Sequence, residues 1–139
     1  MSASEKAKLH IRSSVKNDGG ESEVISFVTE GLYEKTDGGF VILYTELTES
    51  GKVECRIITD GGKVTVKRCG AIESTLVFRG GHRHVSLYSL GGFAFDMAVS
   101  TRQVKCELGD AGGRLALHYD MTVGGADKEV RFSVRVEKA

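Results

Sequence analysis

The stretch RLALHYDMTV, residues 114–123, decides the fold class, because apolar and polar side chains alternate along it. One parity carries Leu115, Leu117, Tyr119, Met121 and Val123, and the other carries Ala116, His118, Asp120 and Thr122. A period of two residues turns successive side chains to opposite faces of an extended chain, so the stretch predicts a strand with one buried face. The stretch EVRFSVRVE, residues 129–137, repeats the pattern after the turn in VGGADKE, so the two predict a hairpin.

Shorter runs of the same kind fill the rest of the chain. They cover residues 8–16, 23–33, 40–47, 53–59, 63–69, 74–78, 84–89, 93–101 and 104–108. Glycine turn signals such as TDGG and LGG separate most of them at the spacing of antiparallel hairpins, and no stretch has a convincing helical period. We therefore predict an all-β protein, with residues 1–139 forming a single domain. An antiparallel meander β-barrel is favoured over a two-sheet sandwich.

Composition limits the partners and the compartment. Lysine plus arginine and aspartate plus glutamate both number 19, so no net charge attracts nucleic acid or an anionic membrane, which argues against both partners. The N-terminal MSASEKAKLH has no apolar run of the kind found in a signal peptide. The cysteines, Cys55, Cys69 and Cys106, lack the spacing of a metal site. We expect a cytoplasmic protein with buried, reduced thiols.

The histidine pair in GGHRHVSLYSLGG, residues 80–92, is the first candidate for chemistry. His82 and His84 have the spacing that places two side chains on one side of a strand, where they could share a zinc ion. A catalytic zinc site needs a third protein ligand, and no carboxylate or thiol lies at a ligand spacing nearby. We expect His82 in a turn, His84 at a strand start, and no metal or cofactor, with the zinc site as the alternative.

Signatures of catalysis are missing from the sequence. No serine occupies a Gly-x-Ser-x-Gly elbow, and no glycine-rich loop has the form that binds phosphate. Arg68 precedes Cys69, but neighbours on a strand face opposite sides, so the guanidinium does little to activate the thiol. The sequence argues against an enzyme.

Two charged residues lie on otherwise apolar parities. Glu46 shares its parity with Tyr44, and Arg68 shares its parity with Val66, so both charges are expected inside the barrel near its rim. They form either a structural ion pair or the anchor of a ligand. His84 and Tyr88 share one parity, but their side of the strand stays open. The candidate ligand-binding residues are Tyr44, Glu46, Arg68, His84 and Tyr88.

These features support two functions. The first is a module that binds a small apolar or amphipathic ligand inside the barrel, unless bulky inward residues fill it. Those residues are Phe93, Phe95, Met97, Tyr119 and Phe132. The second is a protein- or RNA-interaction module, or a homodimer, that uses an outer face of the barrel. Its candidate contacts are the basic Lys67, Arg79, Arg83 and Arg102 and the apolar FVILY, residues 40–44, unless another part of the same chain covers the outer face of FVILY.

The same positions carry a family resemblance. The stretches YTE (44–46), RCG (68–70), VFRGGHRHVSLY (77–88) and GGRLALHYDM (112–121) resemble the YwiB-like family of small bacterial proteins. The resemblance implies a calycin-type β-barrel, the architecture of lipocalins and fatty-acid-binding proteins, and no established activity. The matching residues are Tyr44, Glu46, Arg68, Gly70, Phe78, His84, Tyr88, Thr101 and Tyr119. The turn in YSLGGF is a residue shorter than the family's, and the likeness to lipocalins is one of architecture only, since the chain has no tryptophan.

Overall fold

The structure, a computed structural model, describes residues 4–138, which form a closed antiparallel barrel of ten strands. The strands are β1 (Ser4–Asn17), β2 (Ser22–Lys35), β3 (Gly39–Thr48), β4 (Gly51–Asp60), β5 (Lys63–Gly70), β6 (Ile72–Arg79), β7 (Arg83–Leu90), β8 (Phe93–Gly109), β9 (Gly112–Val123) and β10 (Ala126–Lys138). Each strand pairs with its sequence neighbours, and β1 pairs with β10 to close the barrel. The predicted meander barrel is confirmed. Residues 4–138 contain no helix long and apolar enough to cross a membrane.

Two of the predicted strands, 93–101 and 104–108, are wrong as separate elements, because both belong to β8. The register of β8 against β9 shifts between Thr101 and Gln103. Before this bulge the buried side chains occupy odd positions, as at Val99, whereas after it the half-buried Val104 lies opposite the buried Leu117. An extra residue in one strand reverses the alternation of buried and exposed side chains without breaking the strand. This explains why the sequence pattern predicted two separate strands.

The packed core lies toward one end of the barrel. Strands of a meander alternate in direction, so the turns after β2, β4, β6 and β8 share this end, which we call the closed end. Most side chains under 2% exposed are nearer to it, namely Leu9, Ile42, Ile57, Val64, Phe78, Leu115 and Val134, with Val53 and Val99 as the exceptions. Close packing of these side chains fills this half of the barrel.

The opposite end, which we call the open end, carries the turns after the odd-numbered strands. The turn of the YSLGGF stretch lies here, and Gly91 and Gly92 both adopt positive φ angles of 57° and 85°, a conformation that favours glycine. Phe93 and Phe95 do not fill the barrel, which was the alternative to a cavity, since the two residues are 70% and 41% exposed at this end. The open end is therefore not sealed by these aromatic rings.

Two ladders of the barrel are short. Strand β2 pairs with β3 over four residue pairs only, from Leu32↔Leu43 to Lys35↔Phe40. Strand β2 crosses β3 closely at Gly31, where an added Cβ would meet the carbonyl oxygen of Leu43, so this position requires glycine. Strand β6 pairs with β7 only at Ile72↔Leu90 and Glu73↔Ser89. The wall of the barrel is thus less continuous at these two seams than elsewhere.

The FVILY stretch lies in β3 with two different faces. Ile42 and Tyr44 are buried inside the barrel, whereas Val41 and Leu43 are half-buried on the outside. Their ladder partners on β4 are Ile58 and Arg56, so side chains of the neighbouring strand cover part of this outer face. A dimer contact on it stays a prediction.

Candidate functional site

A cavity of about 370 Å³ lies inside the barrel toward the open end. Its apolar walls include Val15, Val66, Leu76, Met97, Val130 and Phe132. Its polar wall residues are Ser13, Tyr44, Arg68, Ser74, Tyr88, Tyr119 and Lys128. The volume is at the small end of the range of roughly 300–1,000 Å³ typical of ligand pockets. An apolar chamber with a few converging polar groups is the usual form of a small-molecule site.

Glu46 and Arg68 meet inside the barrel, as the sequence predicted. Glu46 comes from β3 and Arg68 from β5, and the distance from Arg68 Nη2 to Glu46 Oε2 is 3.7 Å. Cys55 lies between them on β4, directly opposite Arg68 and Tyr44 in the ladders, and its thiol donates to Glu46 Oε2 at 3.9 Å. The ion pair is longer than the roughly 2.7–2.9 Å of a charge-assisted hydrogen bond. The guanidinium therefore retains donors for another group.

The environment of Arg68 keeps it charged. Burial opposes the charge, but the carboxylate of Glu46 and the nearby Cys55 and Tyr44 outweigh it, so that the pKa of Arg68 is raised. Its side chain is 32% exposed, and that of Glu46 is 23% exposed, so both groups keep some contact with water. The site accordingly holds a permanent cation beside apolar walls.

Two buried tyrosines add neutral hydrogen-bond donors. Burial raises the pKa of Tyr44 well above its ordinary value, and burial raises the pKa of Tyr119 to about 12 against the opposing effect of Arg68. Tyr119 also packs on Phe78, with ring centroids 4.6 Å apart. Both hydroxyls thus remain protonated at neutral pH and can donate to an acceptor in the cavity.

The structure places the other two candidate residues differently. Tyr88 lines the cavity, opposite Phe95 in the ladder of β7 and β8. His84 lies opposite the buried Val99, so it is half-buried on the inward face, but it sits toward the closed end and does not line the cavity. Tyr88 therefore lines the same cavity as Arg68, Tyr44 and Tyr119, and His84 does not.

The remaining histidines lie outside the cavity. His82 is exposed in the turn before β7, where its backbone N–H donates to the carbonyl of Arg79 at 2.9 Å. His118 lies on the outer side of β9, with Nε2 2.7 Å from Glu129 Oε2. Within residues 4–138, no group of three or more His, Cys, Asp and Glu side chains could hold a metal ion. That purified protein binds no transition metal stays a prediction for elemental analysis.

Sequence reasoning did not assign Ser74, Tyr119 and Lys128 to the candidate site, although all three line the cavity. Ser74 and Tyr119 lay on the inward parities of their strands, and this was the signal that could have identified them. Lys128 was assigned to a turn, but β10 begins at Ala126 and carries the lysine to the cavity. Which strands face each other across a barrel depends on how it closes, and one sequence does not specify this.

The expectation of buried thiols is only partly correct. Cys55 is buried, whereas Cys69 and Cys106 are exposed, and all three are free. Cys69 follows the inward Arg68 and so faces outward. Cys106 lies in the part of β8 beyond Ser100, the last residue that pairs with β7, and so it lacks cover from that strand.

One basic residue proposed for an outer interaction face is already engaged. Arg102, in the bulge of β8, donates from Nε and Nη2 to the two carboxylate oxygens of Asp120 at 2.7 and 2.9 Å. Its Nη1 also lies 3.7 Å from Glu129. In such a bidentate pair, the carboxylate compensates the positive charge of Arg102, which would otherwise attract a nucleic-acid phosphate.

Comparison with known proteins gives consistent results. The model of a family described as a domain of unknown function, DUF1934, matches residues 9–134. The chain is 31% identical over 116 residues to the uncharacterized beta-barrel protein YwiB of Bacillus subtilis, covering 84% of this chain and 81% of that protein. The crystal structure of that YwiB protein superposes with a TM-score of 0.90 at 27% identity, over 98% of this chain and 93% of the other.

Proposed function

Since the chain belongs to the DUF1934 family, whose function is unknown, we propose from its interior that the barrel is a non-enzymatic module that binds one small molecule with an apolar body and a polar group. The observation that carries the proposal is a cavity of about 370 Å³ whose apolar walls converge on Arg68. A barrel that only had to be stable would gain by filling this space, because close packing stabilises and cavities destabilise a core.

Two features of the wall support binding over a purely structural role. Phe93 and Phe95 are large enough to fill the interior but are largely exposed at the open end. A half-buried guanidinium is costly unless its donors are used, and Glu46 approaches it only to 3.7 Å. A ligand that occupies the cavity would satisfy the remaining donors and cover the apolar walls.

A cavity-filling substitution tests this proposal. Ser74 lines the cavity, whereas its neighbour Thr75 is exposed on the outer face of β6. Ser74→Trp should abolish the fluorescence gain of an environment-sensitive naphthalene sulfonate dye, while the matched control Thr75→Trp should leave it unchanged. Equal dye binding by both variants and the natural protein would place the dye outside the barrel and contradict the proposal. Native mass spectrometry of the protein as purified would reveal any ligand retained from the host.

The compartment is part of the proposal. We place the module in the cytoplasm, where reduced thiols are normal, because Cys55, Cys69 and Cys106 are all free. A small diffusible ligand of metabolism is then the kind of molecule that the cavity would meet.

A second candidate function is protein interaction through β2, as in a homodimer. Residues 22–31 of β2 have no ladder partners on β3, and Val24 and Val28 are each 55% exposed on the outer face. A strand edge with unpaired backbone groups and exposed valines can pair with a strand of another chain. Light scattering after size exclusion would give a dimer mass for the natural protein and a monomer mass for Val28→Lys. A monomer at high protein concentration would remove this candidate.

A further inference from the structure

We infer that the ligand is an amphipathic anion, with a single acid group held by Arg68 in the interior and an apolar chain that runs along the cavity to the open end. This inference rests on the proposed function, since it names the class of molecule that the same cavity takes.

The cavity wall carries positive charge only. Arg68 and Lys128 are its charged lining residues, and no carboxylate is among the residues that line it. Glu46 contacts Arg68 from the side and neutralises part of its charge, but it does not line the cavity itself. In a medium of low dielectric constant, such a wall favours an anion and disfavours a cation of the same shape.

The groups around Arg68 are donors matched to an acid group. Ser74 is the ladder partner of Arg68 on β6, so the hydroxyl and the guanidinium lie side by side on the inner wall. Tyr44 on β3 and Tyr119 on β9 line the same cavity as Arg68, so side chains from different sides of the barrel share this space with the guanidinium. A planar carboxylate can accept from a guanidinium and from hydroxyls at once.

The open end presents an apolar rim that no packed side chain of the barrel fully covers. Ile25 is the ladder partner of Ser13, and Phe95 that of Tyr88, so both point to the inner face that lines the cavity. Ile25 and Phe95 are nevertheless 54% and 41% exposed, and Phe93 is 70% exposed. Because this rim continues directly into the cavity, the tail of a bound amphiphile is the occupant that covers it.

Head-group specificity provides the test. We would titrate the natural protein with dodecanoate, dodecanol and dodecylammonium by displacement of the naphthalene sulfonate dye, keeping the alcohol below its solubility limit and the two ions below their critical micelle concentrations. Dodecanoate should bind about tenfold or more tightly than dodecanol, since hydrogen bonds to a charged group add that much. Dodecylammonium should bind most weakly. Equal affinity for all three, or tighter binding of the ammonium, would overturn the inference.

Charge variants assign the head group to its site. Arg68→Gln should weaken dodecanoate about tenfold or more and leave dodecanol nearly unchanged, because only the anion uses the guanidinium. Glu46→Gln should strengthen dodecanoate, since it removes the carboxylate that competes for Arg68. Arg114→Gln removes an equal charge from the exposed outer face of β9 and should change neither ligand. An equal loss of dodecanoate affinity in all three variants would overturn the assignment. Arg68→Lys keeps the positive charge, so dodecanoate binding by this variant would show that the loss in Arg68→Gln comes from the missing charge and not from misfolding.

Chain length tests the orientation. Phe95→Ser should weaken dodecanoate but not octanoate, because only the longer chain reaches the rim. The control Leu87→Ser removes an apolar side chain of comparable size from the outer face, at a residue that is 59% exposed. This control should change the affinity for neither dodecanoate nor octanoate. If Phe95→Ser weakens both acids equally, the tail does not run to the open end.

The two proposals fail in different ways. If dodecanol binds as well as dodecanoate and Ser74→Trp abolishes both, the interior binds small molecules, but the anion inference is wrong. If neither the dye nor any amphiphile binds the natural protein, the proposed function itself fails.

Discussion

At the scale of single residues, the ion pair of Glu46 and Arg68 lies inside the barrel but is not sealed from water. The sequence predicted it because each charge interrupts an apolar parity, and the two side chains are 23% and 32% exposed in the structure. Partial exposure makes the pair weaker than a sealed one. Breaking a fully buried pair costs roughly 3–5 kcal/mol, whereas exposed pairs contribute about 0.2–1 kcal/mol.

The first prediction follows from that intermediate exposure. Arg68→Ala should lower the free energy of unfolding by about 1–2 kcal/mol, since it leaves the Glu46 carboxylate without its cation in a half-buried place. The double variant Glu46→Leu, Arg68→Leu should recover much of this loss, because both desolvated charges are gone. Urea unfolding of the single and double variants measures the difference. A double variant less stable than Arg68→Ala would show that the two side chains do not act as a pair.

The second prediction concerns an outer carboxylate. The hydrogen bond from His118 and the nearby Arg102 hold the pKa of Glu129 below its ordinary value of 4.5. A lowered pKa in the folded state adds stability above the unfolded pKa, and this contribution is lost as pH falls through the folded pKa. Glu129→Gln should therefore lose less unfolding free energy than the natural protein on acidification from about pH 5 to about pH 3. Glu54→Gln, on the outer face of β4, serves as the matched control.

At the scale of elements, β8 explains what the alternation of the sequence could and could not predict. Most strands and turns were predictable, because one buried face imposes a period of two residues and glycines mark the turns. The bulge was not, since a single extra residue looks like a break between two strands. The Glu46 and Arg68 pair was predictable from parity alone, and Ser74 lies beside Arg68 in the ladder of β5 and β6. Tyr119 and Lys128 join them only through closure of the barrel.

The third prediction tests the bulge as an element. Arg102→Ala should lower the free energy of unfolding only slightly, because it removes a pair with Asp120 that is largely exposed. Deletion of Arg102 should lower the free energy of unfolding by more than about 3 kcal/mol, since it moves Val104 and Leu108 to the outer face or forces the ladder with β9 to shift. Thermal unfolding of the two variants gives the comparison. Equal stability would mean that β8 tolerates either register.

At the scale of the whole molecule, the barrel has a packed half and a hollow half along its axis. Side chains under 2% exposed, such as Ile42, Phe78 and Leu115, hold the closed end, and the cavity with its apolar rim occupies the open end. This division lets the wall of the cavity vary without loss of the fold, because the packed half supplies most of the core. Substitutions at Leu115 should therefore affect stability far more than substitutions at Ser74 of similar change in volume.

The pairing of β1 with β10 makes the strand order in space a ring that has no first or last member. Ala7 lies opposite Lys138, so the two ends of the described chain are neighbours at the closed end, on the far side from the cavity. A short linker between them, with new ends cut in the two-glycine turn at Gly61 and Gly62, should produce a circularly permuted protein with the same barrel. A reporter joined ahead of β1 or after β10 would likewise lie at the closed end and leave the open end of the barrel unobstructed.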